Sequence, residues 1–187
     1  MGEYEYTVPT TSPFYRGVVS PACEWLVRRI PANVTPDAIT WVGLLFAATA
    51  VLVMPLSRWL AAVCWVLYAT ADNLDGKHAR ATKQASVKGE FLDHVVDSAT
   101  CSLLTIILAA STEGHYPPCA MLTLTVQVPF IIGCWYYYST GRILLGCTSK
   151  GQQGPWVTVD EINYIAVPLL IALQPLWTCF DVYGIKL

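Results

Sequence analysis

Between Asp72 and Asp97 the chain reads DNLDGKHARATKQASVKGEFLDHVVD, and this stretch gathers the side chains that could do chemistry. It holds five of the thirteen acidic residues, four of the eleven basic ones and two of the three histidines. Long apolar runs flank it, and charge this dense beside a bilayer is costly unless it serves a site. Asp72 and Asp75 are three residues apart and Asp93 and Asp97 four apart, so on helices each pair shares a face. Two helix ends would then direct four carboxylates at a common point. Carboxylates so placed repel, and stay together only if some are protonated or cations sit between them. Ligation by oxygen alone suits Mg2+ or Mn2+ rather than Zn2+. Paired cations of this kind can hold a pyrophosphate and stabilise a leaving phosphate.

The elements that must position these groups follow from composition. Of 187 residues, 55% are hydrophobic and 13% charged, too apolar for an ordinary soluble domain. The length suits one domain, and a net charge of −2 gives no sign of a nucleic-acid partner. Seven cysteines form no C-x-x-C pair, so neither a zinc site nor a disulfide framework is expected. Met1 to Ser12 is polar, which argues against a cleavable signal peptide.

Residues 1–19 read as a cytosolic tail and 20–187 as the membrane domain. With Ser20 as N-cap and Pro21 at the first helical position, a helix is expected over 20–30. Its apolar side (Ala22, Trp25, Leu26, Ile30) opposes Arg28 and Arg29, as in a helix lying on a membrane surface; packing on the domain is the alternative. Residues 38–56 can span a bilayer. Residues 59–71 are too short alone, so the helix must run on through Asp72 to about Arg80. Gly89 begins the third span, which carries Asp93 and Asp97 at its end. A fourth span over 116–141 is expected to kink at Pro129 and to end in an aromatic belt, Trp135 to Tyr138. A fifth over 162–180 is interrupted by Pro168 and Pro175. The fold class is therefore all-α, a polytopic transmembrane bundle of about five spans with an N-terminal interfacial helix. If the spans alternate, nine of the eleven Lys and Arg residues fall on the side of the N-terminus. The positive-inside rule then puts the N-terminus and the 72–97 stretch in the cytosol.

The pattern D-x2-D-G-x2-A-R-x8-G-x3-D-x3-D is filled by Asp72, Asp75, Gly76, Ala79, Arg80, Gly89, Asp93 and Asp97. It resembles the signature of the CDP-alcohol phosphotransferases. GEFLDHVVDS is most similar to the eukaryotic choline and ethanolamine phosphotransferases, and WYYYSTGRILLG resembles their W-x-x-Y-x-T-G-x-L-x-x-G, with Ile143 in the leucine position. PDAITWVG resembles the family's approach to the first span, with Asp37 where asparagine is usual. The similar parts cover about residues 12–165.

The resemblance implies that Asp72, Asp75, Asp93 and Asp97 bind two Mg2+ or Mn2+ ions. It implies that Gly76, Ala79, Arg80 and Gly89 contact the CDP moiety, and that Asp97 or His94 acts as general base. The implied reaction is transfer of phosphocholine or phosphoethanolamine from CDP-choline or CDP-ethanolamine to diacylglycerol, releasing CMP. The implied setting is the endoplasmic reticulum or Golgi membrane, among membrane lipids, as a homodimer. Family members have a six-helix core, so five spans read either as a domain cut short at its C-terminus or as a count that misses one helix. Rival readings are phosphatidyl transfer from CDP-diacylglycerol to a small alcohol, a non-catalytic truncated relative, and a cation transporter. The transporter would explain intramembrane carboxylates but not Gly76, Arg80 and Gly89 at these spacings.

Overall fold

The computed structural model describes residues 12–111, 127–136, 138–139 and 159–178. The elements among them are helical. The first helix starts earlier than Ser20. The Ser12 hydroxyl accepts the Tyr15 N–H at 3.0 Å, Pro13 follows it, and a π-helical turn, Tyr15–Val19, runs straight into α1 (Ser20–Val27). Ser12-Pro13 thus carries the capping signature that Ser20-Pro21 also displays. Ser20 is already helical and uses its hydroxyl elsewhere: it donates to Glu24 Oε1 at 2.9 Å and accepts from Lys77 Nζ at 2.8 Å. With a Lys77–Glu24 ion pair at 3.5 Å, these contacts fasten α1 to the third helix. The Ser20 hydrogen bond, then Lys77, holds the Glu24 carboxyl below its ordinary range. Val19 and Cys23 are buried, with Ile39, Ala71 and Leu74, while Trp25 stays exposed beneath the stacked Arg29 guanidinium. The helix therefore both packs on the domain and keeps an outward face, so the two alternatives above are not exclusive.

Helix α2 (Pro36–Val53) is capped by Thr35, whose hydroxyl accepts the Ala38 N–H, with Pro36 in the first turn. It buries the small residues Gly43, Ala47 and Ala50 and exposes Trp41, Leu45 and Leu52. Small residues let helix backbones approach closely, and a Cβ at Gly43 would meet that of Ala71 at 3.2 Å. Among the described residues α2 is the one helix long and apolar enough to cross a membrane by composition.

Helix α3 (Arg58–Ala81), capped by Ser57, is continuous for 24 residues, so the first half of the motif does sit at its C-terminal end. It closes in a Schellman arrangement: Gln84 N–H donates to Ala79 C=O at 2.8 Å and Lys83 N–H to Arg80 C=O at 3.3 Å. Lys83 takes the left-handed conformation this requires, φ 58°. Helix α4 (Val87–Ser111) follows after a five-residue connection, 82–86. It begins at Val87 rather than Gly89, because Ser86 caps it by accepting the Gly89 N–H at 3.1 Å.

Helix α5 (127–136) runs back along α4. Gln127 Nε2 donates to Ser98 C=O and Ser102 Oγ at one end, and Phe130 reaches the His94 ring further along. A short helix α6 (Val159–Glu161), a π-helical turn (Ile162–Ala166) and α7 (Val167–Thr178) complete the described chain. The π-helical turn ends just before Pro168, where the proline removes an i→i−4 bond, a local adjustment rather than a break. The chain also stays helical through Pro175. A core of Ala47, Ala50, Ala61, Trp65, Tyr68, Ile107 and Ile171 joins α2, α3, α4 and α7. The outward positions of the described helices stay apolar, with Leu52 75% and Trp59 69% exposed, a surface that water does not favour at this extent.

Candidate active site

Three helix ends meet: the N-termini of α2 and α4 and the C-terminus of α3. Between them lies a cleft lined by Asp37, Thr40, Asp75, Gly76, Ala79, Arg80, Gly89, Glu90 and Asp93. All four residues expected to contact the nucleotide are therefore on one surface. Two of them are glycines for reasons of space. A Cβ at Gly76 would stand 3.3 Å from Arg80 Nη1, so the glycine lets the guanidinium fold back over it. A Cβ at Gly89 would stand 3.3 Å from the capping Ser86 Oγ, and at ordinary contact distance, 3.4 Å, from Asp37 Oδ1 on α2.

Beside the cleft, ligand oxygens of Asp72, Asp93 and Asp97 lie within 4.8 Å of one another. Asp93 belongs to both the cleft and this group. Its Oδ1 is buried and has no hydrogen-bond partner among the described residues. A buried acceptor without a donor, amid two other carboxylates, is poorly placed alone and well placed around a cation. Asp75 is not in the group of three. It sits one turn along α3, 4% exposed, with both oxygens engaged: Oδ2 accepts the Thr40 hydroxyl at 2.6 Å and Oδ1 accepts the Gly76 N–H at 2.6 Å. The donor set thus fits a hard cation at Asp72, Asp93 and Asp97, with Asp75 held close by.

Sequence reasoning missed two supports. Thr40 fixes Asp75. Tyr68, 4% exposed, places its hydroxyl 3.4 Å from Asp97 Oδ1 and 2.9 Å from Thr100 Oγ1. Both were open to a sequence signal: Tyr68 lies four residues before Asp72, and Thr40 is a polar residue on the buried side of an apolar helix. The Thr40 contact gives an expected result. Thr40→Val keeps the shape but leaves Asp75 Oδ2 buried without its donor, and should lower turnover about 10- to 100-fold, the range for losing a group that orients a ligand. Thr40→Ser should retain most of it. Initial rates with saturating substrates check this; a normal rate for Thr40→Val would remove Thr40 from the site.

Among the histidines, His94 faces α5. Its Nδ1 lies 2.8 Å from the Tyr138 hydroxyl, and its ring meets Phe130 edge-on at 6.3 Å. Tyr138 is therefore turned toward α4, while Trp135 is 69% exposed. His78, inside the motif, is 1% exposed and hydrogen-bonds Val34 C=O through Nε2 at 2.9 Å, fixing the loop before α2 rather than facing the cleft.

Fold and site together define a helical protein with an oxygen-only group able to hold a cation, at the edge of a glycine-lined cleft. The chain belongs to the CDP-alcohol phosphatidyltransferase family, whose family model matches residues 33–181. It is 36% identical over 144 residues to a CDP-diacylglycerol–serine O-phosphatidyltransferase of Encephalitozoon cuniculi, covering 70% of this chain and 37% of that protein. It is 29% identical over 180 residues to cholinephosphotransferase 1 of Danio rerio, covering 84% of this chain and 44% of that protein. It is 26% identical over 166 residues to human ethanolaminephosphotransferase 1, covering 76% and 42%. The chain spans about two fifths of the length of the curated relatives it matches.

Proposed function

We propose that the protein transfers phosphocholine or phosphoethanolamine from a CDP-alcohol to diacylglycerol and releases CMP. The observation that carries this is the meeting of the cleft and the acidic group at Asp93. Arg80 and the N-terminal end of α4 would receive the diphosphate, since both favour negative charge. Gly76, Ala79 and Gly89 leave room for the nucleotide. Asp72, Asp93 and Asp97, with Asp75 in support, would hold two Mg2+ or Mn2+ ions. Bound there, such ions supply neutralisation of the diphosphate and of the leaving CMP. The acceptor oxygen forms a bond to the phosphorus bearing the amino alcohol, the bond from that phosphorus to CMP breaks, and CMP leaves with the electron pair. The acceptor's hydroxyl proton passes to a base, His94 in this reading and Asp97 in the broader family pattern.

The second reading is phosphatidyl transfer from CDP-diacylglycerol to a small alcohol, favoured by the 36% identity to the serine phosphatidyltransferase. His94 after Asp93, and the W-x-x-Y-x-T-G stretch, favour the first. The exposed apolar faces of α2 and its neighbours support a membrane protein, and nine of eleven Lys and Arg on the side of the N-terminus support a cytosolic N-terminus and cleft; a homodimer in the endoplasmic reticulum or Golgi membrane is what the family resemblance adds to this reading. One experiment tests reaction and orientation. Protein in sealed vesicles of either sidedness is given radiolabelled CDP-choline, CDP-ethanolamine or CDP-diacylglycerol with the matching acceptors. Labelled phosphatidylcholine or phosphatidylethanolamine should form, and only where the cytosolic face is outward. Product from CDP-diacylglycerol alone would establish the second reading, and product only from the other sidedness would invert the orientation.

A further inference from the structure

A second cavity, of about 330 Å³ and open at the surface, lies between α1 and α3. Glu24, Val27 and Arg28 line it from α1 and its C-terminal end, and Lys77, Arg80 and Ala81 from α3. Arg80 lines the cleft as well, so both spaces belong to one end of the bundle. Three cations thus border this cavity against one carboxylate. Lys77 is the fixed member. Its side chain is 14% exposed, and its ammonium donates to Ser20 Oγ at 2.8 Å, pairs with Glu24 at 3.5 Å and lies 5.5 Å from the centre of the Tyr15 ring. The Glu24 carboxylate is already engaged by Lys77 and by the Ser20 hydroxyl. Arg28 is exposed at the rim. The excess charge is positive, and a concave wall of low dielectric focuses it. Neither Arg28 nor Lys77 has a task in the transfer reaction.

The chemistry of the wall and of its flank says which anion fits. A guanidinium and an ammonium from two helices match the several oxygens of a phosphate. The helix that ends at Arg28 also carries exposed apolar side chains, Val18 and, three residues before Arg28, Trp25. A free anion gains nothing from them, whereas a phosphate on a lipid brings chains that an apolar flank at the membrane surface can meet. We propose that the cavity between α1 and α3 binds the phosphate group of an anionic phospholipid, with Arg28 and Lys77 as its partners. The contacts are non-covalent, and Arg80 keeps the task given to it in the cleft. A lipid held there fastens α1 to the membrane surface at the end of the bundle where the cleft lies.

The test is a binding titration of the whole chain in an uncharged detergent without divalent cations, with bound ligand counted by native mass spectrometry. The probes are dioctanoyl phosphatidic acid, dioctanoyl phosphatidylcholine, glycerol 3-phosphate and inorganic phosphate. Phosphatidic acid should bind about tenfold tighter or more than phosphatidylcholine, which has the same chains and no net charge. Arg28→Glu should weaken phosphatidic acid about tenfold or more, the scale of losing a hydrogen bond to a charged group. Arg29→Glu makes the same change of charge one residue on, at a guanidinium stacked 3.3 Å over the Trp25 ring and outside the cavity lining. It should leave the affinity within about twofold, as exposed charges generally do. Lys77→Gln should weaken binding as well, but it also unfastens α1, so the decision rests on the Arg28 and Arg29 pair. Because Arg28 is exposed, the lipid-free Tm of Arg28→Glu should match the wild type. Equal losses in Arg28→Glu and Arg29→Glu, or equal affinity for the two lipids, would make the attraction general and overturn the inference. Glycerol 3-phosphate or inorganic phosphate binding as tightly as phosphatidic acid would make the ligand a free phosphate and overturn it too. The readout is binding, so a protein that turns over no CDP-alcohol still gives a decisive result.

Discussion

Asp93→Asn is expected to abolish the proposed turnover while leaving the protein folded. Asp93 is the carboxylate shared by the cleft and the acidic group, and its buried Oδ1 has no donor among the described residues. An amide there removes a charge and can place an N–H against carboxylates that need a cation. Cation stabilisation of transferring phosphate is worth several kcal/mol, and each 1.36 kcal/mol is tenfold in rate, so the expected loss is about a thousandfold or more. Asp72→Asn should fall as far. EDTA should silence the wild type, and Mg2+ or Mn2+ should restore it. A second readout separates a lost cation from a lost fold. Three carboxylates within 4.8 Å repel one another when nothing sits between them. Removing one should therefore leave the metal-free Tm equal or higher. Mg2+ should raise the Tm of the wild type, because a ligand of the folded state stabilises it, and should fail to raise that of Asp93→Asn. Normal turnover in EDTA, or a normal Mg2+-induced Tm rise in Asp93→Asn, would end the metal reading.

The two aspartate pairs could be read from sequence because their spacing is local, but not that Asp72, Asp93 and Asp97 come within 4.8 Å while Asp75 turns to Thr40 and the Gly76 N–H. Each aspartate pair lies on one helix, and three- or four-residue spacing fixes a shared face without knowledge of any other element. The extension of α3 past Ala71 was equally legible, since the apolar run before the motif is too short to span on its own. What spacing cannot report is a partner on another helix. Thr40 lies 35 residues from Asp75, Tyr68 lies 29 from Asp97, and Tyr138 lies 44 from His94. The Thr40 hydroxyl also reaches its own helix backbone, at Pro36 C=O, as Thr49 does with Leu45 C=O and Thr70 with Val66 C=O, so its type alone does not announce a partner on another helix. The N-terminus failed for a different reason. Ser12-Pro13 and Ser20-Pro21 carry the same local signal, and burial of Val19 and Cys23 against Ile39, Ala71 and Leu74 decides in favour of one helix running through both.

If His94 is the base of the proposed reaction, His94→Ala should lower kcat by about 10^2- to 10^4-fold, the usual cost of removing a general base, with little change in KM for the CDP-alcohol. His94 follows Asp93, and on a helix that rotates its side chain about 100° away from the acidic group. The ring accordingly turns to Phe130 on α5 and to Tyr138 beyond it rather than into the group of Asp72, Asp93 and Asp97. It stays three residues from Asp97, near enough on the helix surface for the two side chains to be neighbours. The nucleotide contacts proposed for Gly76, Ala79 and Arg80 belong to α3 and the cleft, so substrate affinity has no reason to change. The competing base, Asp97, is one of the three clustered carboxylates, and the two candidates therefore separate by metal response. Asp97→Asn should lose both turnover and the Mg2+-induced rise in Tm. His94→Ala should lose turnover alone. Rates and thermal shifts on the same preparations decide between them: a His94→Ala protein with near-normal kcat would pass the base role to Asp97 and weaken the amino-alcohol reading in favour of phosphatidyl transfer.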